Sequence, residues 1–297
     1  MFAAFDAPGR FRRGNLHGHS TVSDGALAPS EVCARYRAAG YDFICLSDHF
    51  LARFGHPVTD TRDFREGGFT TLLGAELHAP QTAQGALWHI LAVGLPRDFA
   101  PPTESETGPE IAARAAAAGA FVALAHPHWS HLSVADGLSV DAAHAVEVYN
   151  HKSAIEVDRG EGLAHLDALL HAGRRLGAIA CDDSHWQNDD AFGGWVWVKA
   201  RETTPEALLA GLRDGAYYAS QGPELHGVVR DGDWVEIACT PVASIILAGP
   251  GQWRQRVLGQ GLTSARLPLE AEAGGWRRLI VRDALGRRAW TNPVWLA

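Results

Sequence analysis

The feature that most constrains this chain is a recurrence. Short apolar runs far apart in the sequence are each bounded by a histidine or a carboxylate. NLHGHSTVSDG sets His17, His19 and Asp24 at and just past the first run, and YDFICLSDH closes the second on His49. LLGAELH, VALAHPH and AIACDDSH carry Glu76, His126, Asp183 and His185 to the ends of three more, whereas WHILAVGL opens on His89. Residues two apart on an extended strand point to the same side, so His17 and His19 can grip one ion. One such spacing says little. Its repetition implies a cluster assembled from distant parts of the chain.

The runs alternate with helical stretches. A strand around Asn15 to His19 precedes PSEVCARYRAAG, a helix that Pro29 and Ser30 suit at its start and Gly40 at its end. DFICLSDH and TTLLGAELH follow as strands, PEIAARAAAAGA as a helix, FVALAHP and AVEVYN as strands and GLAHLDALLHAG as a helix. GAIACDDSH and GGWVWVKA are then strands and PEALLAGLRDG a helix. Continuous apolar strands between helices imply a parallel sheet covered by helices, and about eight strands suit a barrel. Barrels of this kind keep their working residues where strands end. His19, His49, Glu76, His126, Asn150, Asp183 and His185 obey that rule. His89 does not, so HILAVGL is expected to run antiparallel as the return arm of a hairpin with TTLLGAELH, which would distort the barrel.

From about Gln221 the ligand-type endings stop. Short alternating runs, DWVEIACT, SIILAG and WRRLIVRDALGRRAWTNPVWL, are broken by Gly, Pro and an Asp-Ala-Leu-Gly turn and read as a small antiparallel β unit. Five of the ten tryptophans fall there, as a compact sheet in need of a core would require. The expected division is therefore a barrel over 1–220 and a β unit over 221–297.

Composition narrows the function. With 46% hydrophobic and 20% charged residues the chain is an ordinary globular one, and no run approaches the ~18 apolar residues of a membrane span. MFAAFDAPGRFRRG lacks the apolar core of a signal peptide, and Cys33, Cys45, Cys181 and Cys239 show no paired spacing. Reduced, buried thiols in a cytoplasmic protein are expected. A net charge of -8, from 26 basic and 34 acidic residues, argues against long nucleic acid but leaves room for a small phosphate ester. Fifteen histidines against two lysines is the anomaly, and histidine is the commonest metal-binding side chain.

HxH followed by SDG, SDH, GAE, HILAVG, AHP and a late DSH, in that order over roughly residues 15 to 220, resemble the PHP (polymerase and histidinol phosphatase) domain. The resemblance implies a distorted seven-stranded barrel holding two or three divalent ions. It places one ion on His17, His19, Glu76 and Asp183, a second on Glu76, His89 and His126, and a third on Asp24, His49 and His185. RGNLHGHS, DDSHW and the closing RRAWTNPVWL look like the branch grouped with carbaryl hydrolase.

Imidazole and carboxylate ligands without thiolate suit zinc, manganese or iron. Two ions bridged by one carboxylate suit hydrolysis by a shared hydroxide. A metal-dependent phosphoesterase (class EC 3.1) acting on a small phosphorylated metabolite or nucleotide is expected, with carboxyl ester or carbamate cleavage and a non-catalytic scaffold as the alternatives. His185, or Asp182 beside it, is a candidate proton donor. Lys152, His128, Arg53, Arg62 and Arg65 are candidates to meet the phosphate. Trp88, Trp129 and Trp186 are candidates to wall the pocket, and His78, two past Glu76, to support it.

Overall fold

The computed structural model describes residues 2–270 and 275–296. A short α1 (Ala3–Asp6) precedes β1 (Arg10–Asn15) and α2 (Pro29–Ala38), whose start at Pro29 uses the residue that needs no N–H there. Then come β2 (Phe43–Leu46), β3 (His49–Phe50), β4 (Thr70–Leu77) and β5 (Ile90–Val93). α3 (Gly108–Ala117) starts at a capping box in which Thr107 and Glu110 satisfy each other's backbone N–H groups. It leads to β6 (Phe121–Leu124), α4 (Val134–Ser139), β7 (Ala145–Asn150), α5 (His151–Val157), α6 (Leu163–His171) and β8 (Gly177–Cys181). β9 (Trp195–Ala200), α7 (Pro205–Arg213) and β10 (Tyr217–Ser220) follow.

β2, β5 and β6 are buried along their whole length, because helices cover the sheet and the strands carry no polar side chain to expose. β1, β2 and β4 pair in parallel, as do β6, β7 and β8. β5 runs antiparallel to both β4 and β6, with Glu76 opposite Leu91, so the hairpin expected around His89 forms. The effect is to bring the start of β5 to the same edge as the ends of its neighbours.

Two expectations need correction. No ladder joins β8 to β1 among the described residues, so the closed seven-stranded barrel is replaced by a mixed α/β fold with one large open sheet. The two edges meet at a single bridge between Gly18 and Ser184, where the N–H groups of His19 and Asp183 donate to the Ser184 and His17 carbonyls. GGWVWVKA is also no part of the parallel set. β9 runs antiparallel along the other side of β1, and its alternating burial is that of a strand with one half-exposed face.

From β9 the sheet continues through β10 into the C-terminal strands. These are β11 (Leu225–Asp231), β12 (Trp234–Ala248), β13 (Arg254–Pro268), β14 (Trp276–Arg282), β15 (Arg288–Thr291) and β16 (Val294–Trp295), and the pairings among them are antiparallel. DWVEIACT and SIILAG fuse into the single β12, with register shifts around Val242 absorbing the Pro241 between them. The buried Arg278 pairs with Asp167 of α6 at 2.6 Å, tying this part to the site-bearing part. All four cysteines are buried. No described helix is long and apolar enough to cross a membrane.

Candidate metal centre

Every residue of the expected ligand set reaches the same edge of the sheet. His17 and His19 follow β1, His49 follows β2, Glu76 ends β4, His89 precedes β5, His126 follows β6, and Asp183 and His185 follow β8. Asp24 comes from the loop after His19. There Gly25 packs so closely that a Cβ would lie 2.7 Å from the His19 carbonyl carbon, so only glycine fits. His126 and Asp183 hold φ of 25° and 58°, a left-handed backbone that such residues adopt at a cost. Strain at two of these residues accords with selection for the position of their side chains.

The ligand-type atoms form interlocking groups. Asp183 Oδ1 lies 3.0 Å from His19 Nε2 and 3.3 Å from His17 Nε2, and Glu76 Oε2 lies 3.6 and 3.7 Å from the same two nitrogens. Glu76 Oε1 is 2.6 Å from His89 Nδ1 and 3.1 Å from His126 Nε2. Asp24 meets His49 Nε2 at 3.4 Å and His185 Nε2 at 3.3 Å. Glu76 thus stands between two groups, with one carboxylate oxygen turned to each.

Partners behind the ligands set which ring nitrogen faces inward. His17 Nδ1 is held by Glu147 Oε1 at 3.1 Å, His126 Nδ1 by Ser130 Oγ at 2.8 Å and His185 Nδ1 by the Asp183 carbonyl at 2.8 Å. Each such contact turns Nε2 toward the centre. Glu147, wholly buried, also accepts the His126 backbone N–H at 2.6 Å and an Asn150 N–H at 3.0 Å. Asp48 braces the Ser20 to Asp24 loop by accepting from the Ser20 N–H and the Ser23 hydroxyl, and Asp190 accepts from the His185 N–H. Glu147, Asp48 and Asp190 were missed in the sequence. Glu147 lies mid-strand in AVEVYN, where a carboxylate with no exposed face was the available signal.

The donor set fits divalent cations. His17 Nε2 and Glu76 Oε2 are buried without a hydrogen-bond partner, an arrangement that costs free energy unless something else binds them. Burial disfavours charge on Glu76, yet His49, His89, His126 and His17 outweigh it and hold the carboxyl well below its ordinary value. Asp24 and Asp183 are likewise depressed, against burial, by the histidines around them. Burial and then His185 and His49 lower His19 to about 4. Burial opposes charge on His49 too, but Glu76 and Asp24 raise it to about 10, so a proton there balances the carboxylates. These are acids that call for positive charge among them.

The centre opens into a cavity of about 320 Å³ walled by Leu51, Leu87 and Trp129, with Lys152, Arg53 and Glu156 supplying charge. Trp129 is 41% exposed and stands edge-on to His89 and His126, which puts it at the mouth. Lys152 Nζ donates to Glu156 at 2.9 Å, and its pKa is raised because that bond and Asp183 outweigh burial. His78 lines the cavity as well.

Other candidates lie elsewhere. His128 is exposed and turns to a separate surface cleft beside His131 and Leu132, because the chain reverses after His126. Asp182 is fully buried and spent on the N–H groups of Phe192, Gly193 and Gly194 and on the Tyr36 hydroxyl, so it faces no leaving group. Arg62 pairs with Asp60, and Arg65 donates to the Thr71 carbonyl. Trp88 is a core residue and Trp186 packs on Tyr36 and Phe192.

The fold is similar to that of a solved structure with a predicted PHP-like part. A two-domain protein from Bacteroides vulgatus containing a predicted PHP-like metal-dependent phosphoesterase matches with a TM-score of 0.52 and 16% identity, over 94% of each chain. A candidate metal-dependent phosphoesterase from Bifidobacterium adolescentis matches at 0.43 and 16%, over 60% of this chain and 90% of its own. An amidohydrolase from Chromobacterium violaceum, solved with sulfate and no metal, matches at 0.44 and 17%, over 60% and 89%. No family model and no curated protein matches the sequence. None of the three structures bears on the carbaryl hydrolase branch.

Proposed function

We propose that the chain is a metal-dependent hydrolase that cleaves a small phosphate ester. The observation that carries this reading is the convergence of ten histidine and carboxylate side chains, the nine expected ones and His78, with His17 Nε2 and Glu76 Oε2 buried and partnerless at its heart. His17, His19, Glu76 and Asp183 would hold one ion, Glu76, His89 and His126 a second, and Asp24, His49 and His185 a third. Zinc, manganese and iron all suit these donors. Divalent ions bound there supply water activation near neutral pH and charge neutralisation at a phosphoryl group.

The chain's own residues do the rest. Lys152 and Arg53 draw the anionic group into the cavity, and Trp129 with Leu87 shields it from bulk water. Burial opposes a proton on His185, but Asp24 and Asp183 favour one, so where that group is free of metal His185 can protonate the departing oxygen. In this reading residues 1–220 carry the chemistry, and the described C-terminal strands brace them through the Arg278–Asp167 pair.

The test is a panel of aryl phosphates, nucleotides, phosphodiesters and carboxyl esters with added Mn²⁺ or Zn²⁺. Turnover of phosphates is expected. Turnover confined to carboxyl or carbamate esters sinks the phosphate assignment, and protein purified without chelator that holds no transition metal sinks the metal centre.

A further inference from the structure

His78 was not among the nine expected ligands, yet its ring lies within 4.8 Å of ligand-type atoms of His49, Glu76 and His89, and its two ring nitrogens are both engaged by other partners. Nδ1 lies 2.9 Å from the Trp88 carbonyl oxygen. A carbonyl can only accept, so Nδ1 carries the hydrogen and Nε2 is bare. That bare Nε2 lies 2.8 Å from His49 Nδ1, which must then be the donor. Once the extra proton leaves, His49 keeps a bare Nε2, the atom that faces Asp24 at 3.4 Å.

Glu76 Oε2 also approaches His49 Nδ1, at 2.7 Å, and would be the obvious acceptor. The alignment is wrong. Glu76 Oε2 has no hydrogen-bond partner despite the short distance, while the His49 to His78 contact meets the geometry of a bond. Oε2 therefore stays available to the ion shared with His17 and His19, and the His49 hydrogen goes to His78 instead.

The Trp88 carbonyl is a firm anchor. Its own N–H donates to the Ala79 carbonyl at 2.9 Å, closing the loop between β4 and β5. Its ring packs on Gly108, where a Cβ would lie 2.4 Å from the indole. The chain of hydrogen bonds runs outward from the centre in one direction, His49 to His78 to Trp88, and ends on backbone that cannot turn.

We propose that His78 is a positioning residue that selects the His49 tautomer with Nδ1 protonated and Nε2 bare, completing the Asp24, His49 and His185 group as a cation site. The inference rests on the reading of the cluster as a metal centre. Histidines bound to metals commonly have their other nitrogen fixed by an oxygen acceptor, and losing that partner typically costs 10- to 100-fold in affinity. Here an imidazole takes the oxygen's place and passes the hydrogen bond on to a carbonyl.

The test uses full-length protein stripped with chelator and reloaded with Zn²⁺ alone. Long-range ¹H–¹⁵N spectra of histidine-labelled, zinc-loaded protein are expected to show the Nδ1–H tautomer for both His49 and His78. His78→Phe should weaken the weakest-bound zinc equivalent roughly 10- to 100-fold and leave the tighter ones in place. His78→Gln, whose amide oxygen can accept the His49 hydrogen, should recover much of that loss. An Nε2–H tautomer at His49 overturns the inference, and so do unchanged zinc stoichiometry and affinity in His78→Phe. Should His78→Phe not fold, the wild-type spectrum decides. Wild-type protein that takes up no zinc overturns the metal centre and the inference together, whereas uptake unaffected by residue 78 overturns the inference alone.

Discussion

Glu147 Oε1 holds His17 Nδ1 at 3.1 Å from wholly within the core, on a strand that supplies none of the nine ligand-type side chains. Its other oxygen accepts the His126 N–H and an Asn150 N–H. One buried carboxylate thus positions two histidines of the cluster. Glu147→Gln replaces one acceptor with an NH₂, which must face either His17 Nδ1 or the His126 and Asn150 N–H donors. Zinc affinity measured against a competing chelator should fall about 10- to 100-fold, with the far-ultraviolet spectrum unchanged.

His19→Ala and Asp183→Ala each remove a member of the group that also includes His17 and Glu76. Loss of several kcal/mol of charge stabilisation corresponds to roughly 1,000-fold or more in kcat. Steady-state assays on folded variants check this, and retained turnover in either would place the chemistry elsewhere.

Lys152 is the cavity's ammonium group and already has a partner in Glu156. Lys152→Met is expected to raise KM for phosphate monoesters about tenfold, some 1.4 kcal/mol, with a smaller effect on neutral esters. Equal changes for charged and neutral substrates would assign Lys152 a structural part only.

Proton release should accompany metal loading. Burial disfavours the charged form of His49, but Glu76 and Asp24 raise it to about 10, and His17 and His185 are raised as well. At pH 7 to 8 the His49 ring carries an extra proton in the metal-free protein, and that proton must leave before its free nitrogen can bind an ion. Calorimetric titration in buffers of different ionisation enthalpy should show release, with affinity climbing as pH rises from 6 to 9. The stability that His49 lends the metal-free fold has the opposite sense. It is present below about pH 6.5 and is lost as pH rises through about 10.

Asp167 gives the buried Arg278 its carboxylate partner, although Asp167 itself is partly exposed. Asp167→Ala should cost on the order of 1–3 kcal/mol, less than a fully enclosed pair would. A lowered melting temperature with unchanged metal content is the expected result of thermal and elemental measurements.

The clustering of these histidines and acids was legible in the sequence because strands end abruptly, and a histidine or acid at such an end has few structural reasons to be there. His89 was the informative exception, since its place at the start of a run revealed the direction of β5 before any pairing was known. Glu147 hid for the complementary reason: a mid-strand acid is unremarkable until both faces of its strand are known to be buried. His128 and Asp182 misled through proximity in sequence, because the backbone reverses at His126 and Asp183 and sends adjacent side chains apart. β11 and β13 escaped because their glycines, arginines and glutamines leave little apolar alternation, and β13 is held on one side only, by β12.

β1 lies between β2 and β9, and the residues just past it meet Ser184. During synthesis, therefore, His17 and His19 leave the ribosome some 165 residues ahead of the acid that completes their group. Until then they follow a strand that lacks one neighbour, and they stand without the Asp183 carboxylate. Completion of the cluster is accordingly a late event, coupled to the closing of long-range contacts and not to the emergence of the first motif.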